Sequence, residues 1–184
     1  MIDILEAEET VGKYLSSIAL VDDELDEFGN VLDPCFPLDF CTNENIVSCT
    51  ATLYERYNGA VVLRIDAEVA DTQDNASIRQ WALETPGHLP YVQVRYQRHA
   101  NSGIVKLIAT HSVAVDNLSQ FVLEQIVSSF DFIVPQWVEK VHQIEAVADI
   151  RAERERERGC GTSVSRPRTP EEDECIAEIG RAHV

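Results

Sequence analysis

Apolar residues recur along this chain with two different periods, and each change of period marks a new element. Ile4, Val11, Leu15 and Ile18 share one side of a helical spacing, which predicts a helix over Ile4–Leu20 with Gly12 as its weak point. From Val21 to Asn45 the composition turns to Asp, Asn, Gly and Pro, and "LDPCFPLDF" cannot sit inside a helix. This stretch reads as a long irregular connection with at most a short extended piece. Val47, Cys49, Ala51 and Leu53 then alternate with Ser48, Thr50 and Thr52, predicting a strand over Ile46–Tyr54. Asn58-Gly59 tolerates positive φ and predicts a tight hairpin into Ala60–Ala70, where Val61, Leu63, Ile65, Ala67 and Val69 alternate with Arg64, Asp66 and Glu68.

Capping-type residues open the next segment and Pro86-Gly87 closes it, predicting a helix over Asn75–Glu84 that turns Ile78, Trp81 and Ala82 toward the sheet. Leu89–Arg98 reads as a third strand, with Val92, Val94 and Tyr96 on one face and Tyr91, Gln93, Arg95, Gln97 and His99 on the other. Ala100–Gly103 is a turn, and Ile104–Val115 a fourth strand. The last element starts from an N-cap at Asp116 or Asn117 and runs to about Ile150. Its stripe is Leu118, Val122, Ile126, Phe130, Ile133, Trp137, Val141 and Ile144. Pro135 predicts a kink or break near Asp131–Val134. The expected class is α+β: an antiparallel sheet of two β-hairpins with helices on one face, in the order α-ββ-α-ββ-α, closed by a long C-terminal helix.

One compact domain over residues 1–150 is expected from the length of 184 residues and 45% hydrophobic content. The formal charge of −17 is concentrated in the first 50 residues, and it opposes any approach to nucleic acid or to an anionic membrane. Asp22, Asp23, Glu24, Asp26 and Glu27 lack the spacing of a calcium loop, so "VDDELDEFGN" reads as a solvated acidic loop. No apolar run is long enough to span a membrane, and "MIDILEAEE" is acidic where a secretory leader is basic. A cytoplasmic protein without membrane partners is expected. Cys35, Cys41, Cys49, Cys160 and Cys175 form no CxxC pair, which argues against a zinc knuckle or a disulfide framework.

Residues 151–184 alternate charge and then become rich in Gly, Ser and Pro, as a charged helical extension fading into disorder does. The final "EIGRAHV", Glu178–Val184, can be written in codons as GAG-ATC-GGA-AGA-GCA-CAC-GTC. That string resembles the adapter used in short-read DNA sequencing, so neither His183 nor Cys175 is given a role.

A hairpin, a helix, and a second hairpin running straight into a long proline-bearing helix ("SSFDFIVPQWVEKV") resemble the bacterial YbjN-type domains, which share the fold of type III secretion chaperones. The resemblance covers about Thr10 to Ala148, and the Val21–Asn45 stretch departs from it in length and cysteine content. It implies a non-enzymatic role. Chaperones of this fold are small, acidic, cytoplasmic homodimers that hold an extended partner segment across sheet and helix, and YbjN-like members are described as regulators. The partner would be another protein or peptide segment, with no cofactor and no metal.

No GxSxG, HExxH, P-loop or GxGxxG motif occurs. The residues assigned to partner binding are Arg95 and Gln97, on the polar strand face, with Phe130, Ile133 and Trp137 of the last helix. Their motivation is a surplus of apolar positions beyond what one sheet face covers. The alternative is a small-ligand site or enzyme built on the 94–111 hairpin from Arg95, Arg98, His99, Lys106 and His111. His99 and His111 would lie far apart along the sheet. His111 shares parity with Leu107, Ala109 and Val113, as a core or interface histidine would.

Overall fold

A computed structural model of the chain describes residues 2–21, 36–85, 91–100 and 102–160, with side chains through Arg156. The chain divides into two units, residues 1–145 and residues 146–184. Residues 22–35 of the irregular acidic stretch expected over 21–45, the start of the third strand at Leu89 and the tail 161–184 lie outside the described residues.

The first unit is α+β, and its sheet is larger than the two expected hairpins. Helix α1 (Ile4–Ile18) starts where Asp3 accepts the Glu6 N–H at 2.9 Å, and it buries Ala7, Val11 and Leu15 along one stripe. It gives way to β1 (Leu20–Val21), so the stretch read as irregular holds two strands, β1 and β2 (Leu38–Cys41). These extend the sheet beyond β3 (Ser48–Glu55) and β4 (Val61–Gln73). Helix α2 (Ala76–Glu84) is capped by Asn75, whose side chain accepts from the Ile78 N–H, and it leads to β5 (Gln93–Arg98) and β6 (Ile104–Ala114). All pairings are antiparallel, in the order β1-β2-β3-β4-β6-β5. The second hairpin thus joins the first through β6, leaving β5 at an edge.

Partner residues across a ladder share a face, which sorts the side chains. Phe40, Cys49, Ala51, Leu63, Ile65, Leu107 and Ala109 lie on one face and are buried. Against them pack Val11 and Leu15 of α1, Ile78 of α2, and Leu123, Ile126, Phe130 and Val141 of α3 (Gln120–Cys160). Each such side chain contributes roughly 1.5–3 kcal/mol on removal from water, so this face holds the unit together.

Two expectations about α3 change. Val115–Asn117 form a 3-10 turn, and the Asp116 carboxylate accepts the Ile2 N–H at 3.1 Å instead of capping α3. The Ser119 hydroxyl takes the cap position, accepting from Val122 N–H at 3.3 Å. The helix then continues unbroken past Pro135 to Cys160, into the charged extension expected beyond Ile150. In the second unit the helical residues 146–160 carry Val147 and Ile150 half-exposed among charges. Among the described residues no helix is long and apolar enough to cross a membrane.

Candidate functional site

The second face of the sheet is built from the alternate residues of the same strands. Thr50 and Thr52 of β3, Arg64, Asp66 and Glu68 of β4, Lys106, Ile108 and Thr110 of β6, and Arg95 of β5 stand side by side in register. Asp66 is the hub. It accepts from Thr110 Oγ1 at 2.5 Å and from Arg95 Nη2 at 3.2 Å, and Arg64 Nε lies 3.1 Å away without aligning for a hydrogen bond. Lys106 pairs with Glu68, which raises the lysine's pKa, and Thr50 donates to Asp39 at 2.6 Å. A groove of about 960 Å³ runs over this face to the end of β3, where Ile46, Val47 and the α3 residues Pro135, Val138 and His142 complete its wall.

The basic cluster of the 94–111 hairpin does not converge on one point. Arg95 and Lys106 lie on the charged face. His111 pairs in register with Ile65 on the opposite face, half-buried, with its ring edge-on to Tyr91 at 6.0 Å. Tyr91, expected beside Gln93 on the polar face, therefore turns to the histidine. Burial lowers the His111 pKa, and a hydrogen bond with the Tyr91 backbone partly offsets this. Arg98 and His99 belong to the turn end of the hairpin, 3.1 Å from Asp74 and 3.9 Å from Asp71 respectively. Asp74 also binds Arg79 at 2.5 Å and accepts the Tyr96 hydroxyl, and these partners hold its pKa down at about 2.

A third polar cluster is buried. Asp131 of α3, 6% exposed, accepts from the Thr42 hydroxyl, from Asn45 N–H at 2.9 Å and from Asn45 Nδ2 at 3.1 Å. Thr42 Oγ1 also accepts Val47 N–H at 2.9 Å, so the β2–β3 turn is tied to α3 from both ends. This explains why Pro135 does not break the helix. Proline supplies no N–H to the carbonyl four residues back, which is that of Asp131. Asn45 Nδ2 donates to that carbonyl at 3.0 Å and satisfies it. The same turn holds Ile46 at φ 54, a left-handed conformation that costs a β-branched residue on the order of 1–3 kcal/mol. The nearby Cys49 thiol is pushed up to about 12 by burial, then by Cys41 and Asp131, and so stays protonated.

Of the residues assigned to partner binding, Arg95 and Gln97 stand on the charged face. Phe130, Ile133 and Trp137 are core: Phe130 is fully buried, and Trp137 meets Trp81 edge to face at 6.0 Å. The apolar surplus of α3 is absorbed by α2 and by the extra width of the sheet, so these three offer no surface to a partner. Asp66, Asn45, Ile46 and Asp131 escaped notice. The position of Asp131, four residues before a mid-helix proline, was the available signal. Compared with known proteins, the chain matches no family model, no curated protein and no solved structure.

Proposed function

We propose that this protein is a non-enzymatic binding module that holds a segment of a partner polypeptide on its charged sheet face, with a homodimer as its working form. The observation that carries the reading is the groove over the face opposite the core. Its lining holds threonines, paired charges and two arginines whose guanidinium edges are engaged mainly with one carboxylate. Such a surface suits an extended chain, which needs many modest polar contacts along its length. The element order supports the same reading through the chaperone-like resemblance. The groups of the 94–111 hairpin lie on two faces, which favours the module over a ligand site there.

The test is light scattering on the full-length chain, combined with retention of polypeptides from a cell extract by the wild type and by a variant with Arg95→Ala and Gln97→Ala. The reading predicts a dimer, and retention that the double variant weakens. A strict monomer that retains nothing would overturn it.

A further inference from the structure

The ladders flanking β4 differ in length. On the β3 side pairing stops at Thr50↔Asp66, while on the β6 side it continues to Gln73↔Ile104. Among the described residues, Ala67–Gln73 therefore has a ladder partner on one side only, and β3 reaches no further than Ser48, opposite Glu68. The orientation of the spare groups follows from the hydrogen bonds at the two ends. Arg56 N–H donates to Ala60 O, which directs the even residues of β4 toward β3 as far as Glu68. A bulge at Val69 then switches the alternation, and Asp74 N–H donates to Gly103 O beyond β6. Ala70 and Thr72 thus face β6, and Asp71 and Gln73 present their backbone groups to the side β3 has vacated. An unpaired stretch of this kind, roughly 20 Å long, is a template for another strand.

We propose that this flank of β4 is the docking strand for an extended basic peptide segment of a partner protein, which adds to the sheet beside Glu68, Asp71 and Gln73. The inference rests on the binding-module reading and narrows it to one strand and one partner chemistry. Alternate side chains of an added strand point to opposite faces. Those on the charged face meet Glu68 and Asp71, each about half exposed at 54% and 51%, with Glu139 of α3 on the same groove. Those on the other side meet Ala67, Val134 and Val138, a small apolar wall. Thr72, 4% exposed, keeps a buried hydroxyl without a partner among the described residues in the same stretch. Glu68 shares its carboxylate with Lys106, so the cations of the segment are drawn chiefly by Asp71 and Glu139, which also disfavour acidic segments.

The full-length chain is titrated with three synthetic probes: a short peptide of alternating lysine and valine, its glutamate–valine counterpart, and the lysine–valine peptide N-methylated at alternate bonds. Backbone amide exchange is followed alongside. The lysine–valine peptide binds and slows exchange at Glu68, Asp71 and Gln73. The acidic peptide does not bind, and N-methylation weakens binding by about tenfold or more. Glu68→Lys together with Asp71→Lys lowers affinity for the lysine–valine peptide by about tenfold. Asp71→Pro, which removes a spare N–H and no ladder bond, does the same; where it does not fold, the N-methylated peptide carries that arm. Unchanged affinity in the double lysine variant overturns the proposal. So does slowed exchange along β1 or β5 instead, or slowing that tracks protein concentration without peptide, which would make a second copy the occupant. Retention from extract that is lost with Arg95→Ala and Gln97→Ala but indifferent to Glu68→Lys and Asp71→Lys overturns the flank and leaves the module reading standing.

Discussion

Asp66 and Asp131 are both carboxylates that gather three polar groups, yet they sit in opposite surroundings and do different work. Asp66 lies on the sheet face between two arginines and a threonine, its side chain 18% exposed. Its partners are long, partly solvated and replaceable by water. Asp131 is buried and has no cation beside it among the described residues; its donors are the hydroxyl of Thr42 and the backbone and side-chain amides of Asn45. A carboxylate held by short neutral donors in the interior tolerates one geometry, because each donor left alone there keeps its full desolvation cost. A carboxylate held by guanidinium groups at a surface can trade partners. The first arrangement fixes architecture, and the second is suited to recognition.

The sharpest way to break this contrast is Asp131→Ala, which strands three donors. It should destabilise the fold by about 3 kcal/mol in urea denaturation, whereas Asp66→Ala should cost about 0.5–1 kcal/mol. Equal costs would mean that Asp66 is as architectural as Asp131. Ile46→Gly should move the other way, gaining about 1 kcal/mol as the left-handed strain is released against the entropy of glycine. Asn45→Ala should cost about 1 kcal/mol less when Pro135→Ala is already present, since that change returns an N–H to the Asp131 carbonyl. A double-mutant cycle that closes additively would remove the proline account.

Two pH effects are smaller. The folded-state pKa of His111 lies below its ordinary value of 6.5, so its neutral form favours the fold. Stability then falls as the pH drops below about 6.5, and His111→Gln should flatten that limb. Asp74 is lowered from 3.8 to about 2, so its contribution is present above pH 3.8 and is lost toward pH 2. Asp74→Asn should abolish that part of an acid titration followed by circular dichroism.

Much of the layout was legible in the apolar periods. The Asn58-Gly59 hairpin sits where its chemistry puts it, with Gly59 at φ 76, and α2 begins one residue from its expected start at the Asn75 cap. Parity alone placed Arg95 and Gln97 on the polar face and His111 on the other. What stayed hidden depends on contacts between distant residues. β1 and β2 are too short to show a period of two, and they exist because β3 offers them an edge. Pro135 argues for a break only while its neighbours are unknown, because the amide that repairs the gap lies 86 positions before Asp131 in the chain. Trp137 looked like spare apolar surface because Trp81, from a different element, could not be seen across from it.

The proline gap in α3 also acts as a ruler for the sheet. Asn45 can satisfy the Asp131 carbonyl only when the β2–β3 turn has its present length, and Ile46 takes its strained conformation at the step where that turn passes from its anchor on α3 toward β3. Where β3 begins is thereby measured from the helix, and so is the length of β4 left without a neighbour. Adding one residue between Asn43 and Asn45 would shift that origin, so a family of such insertions would tune the width of the docking strand without touching any residue on it.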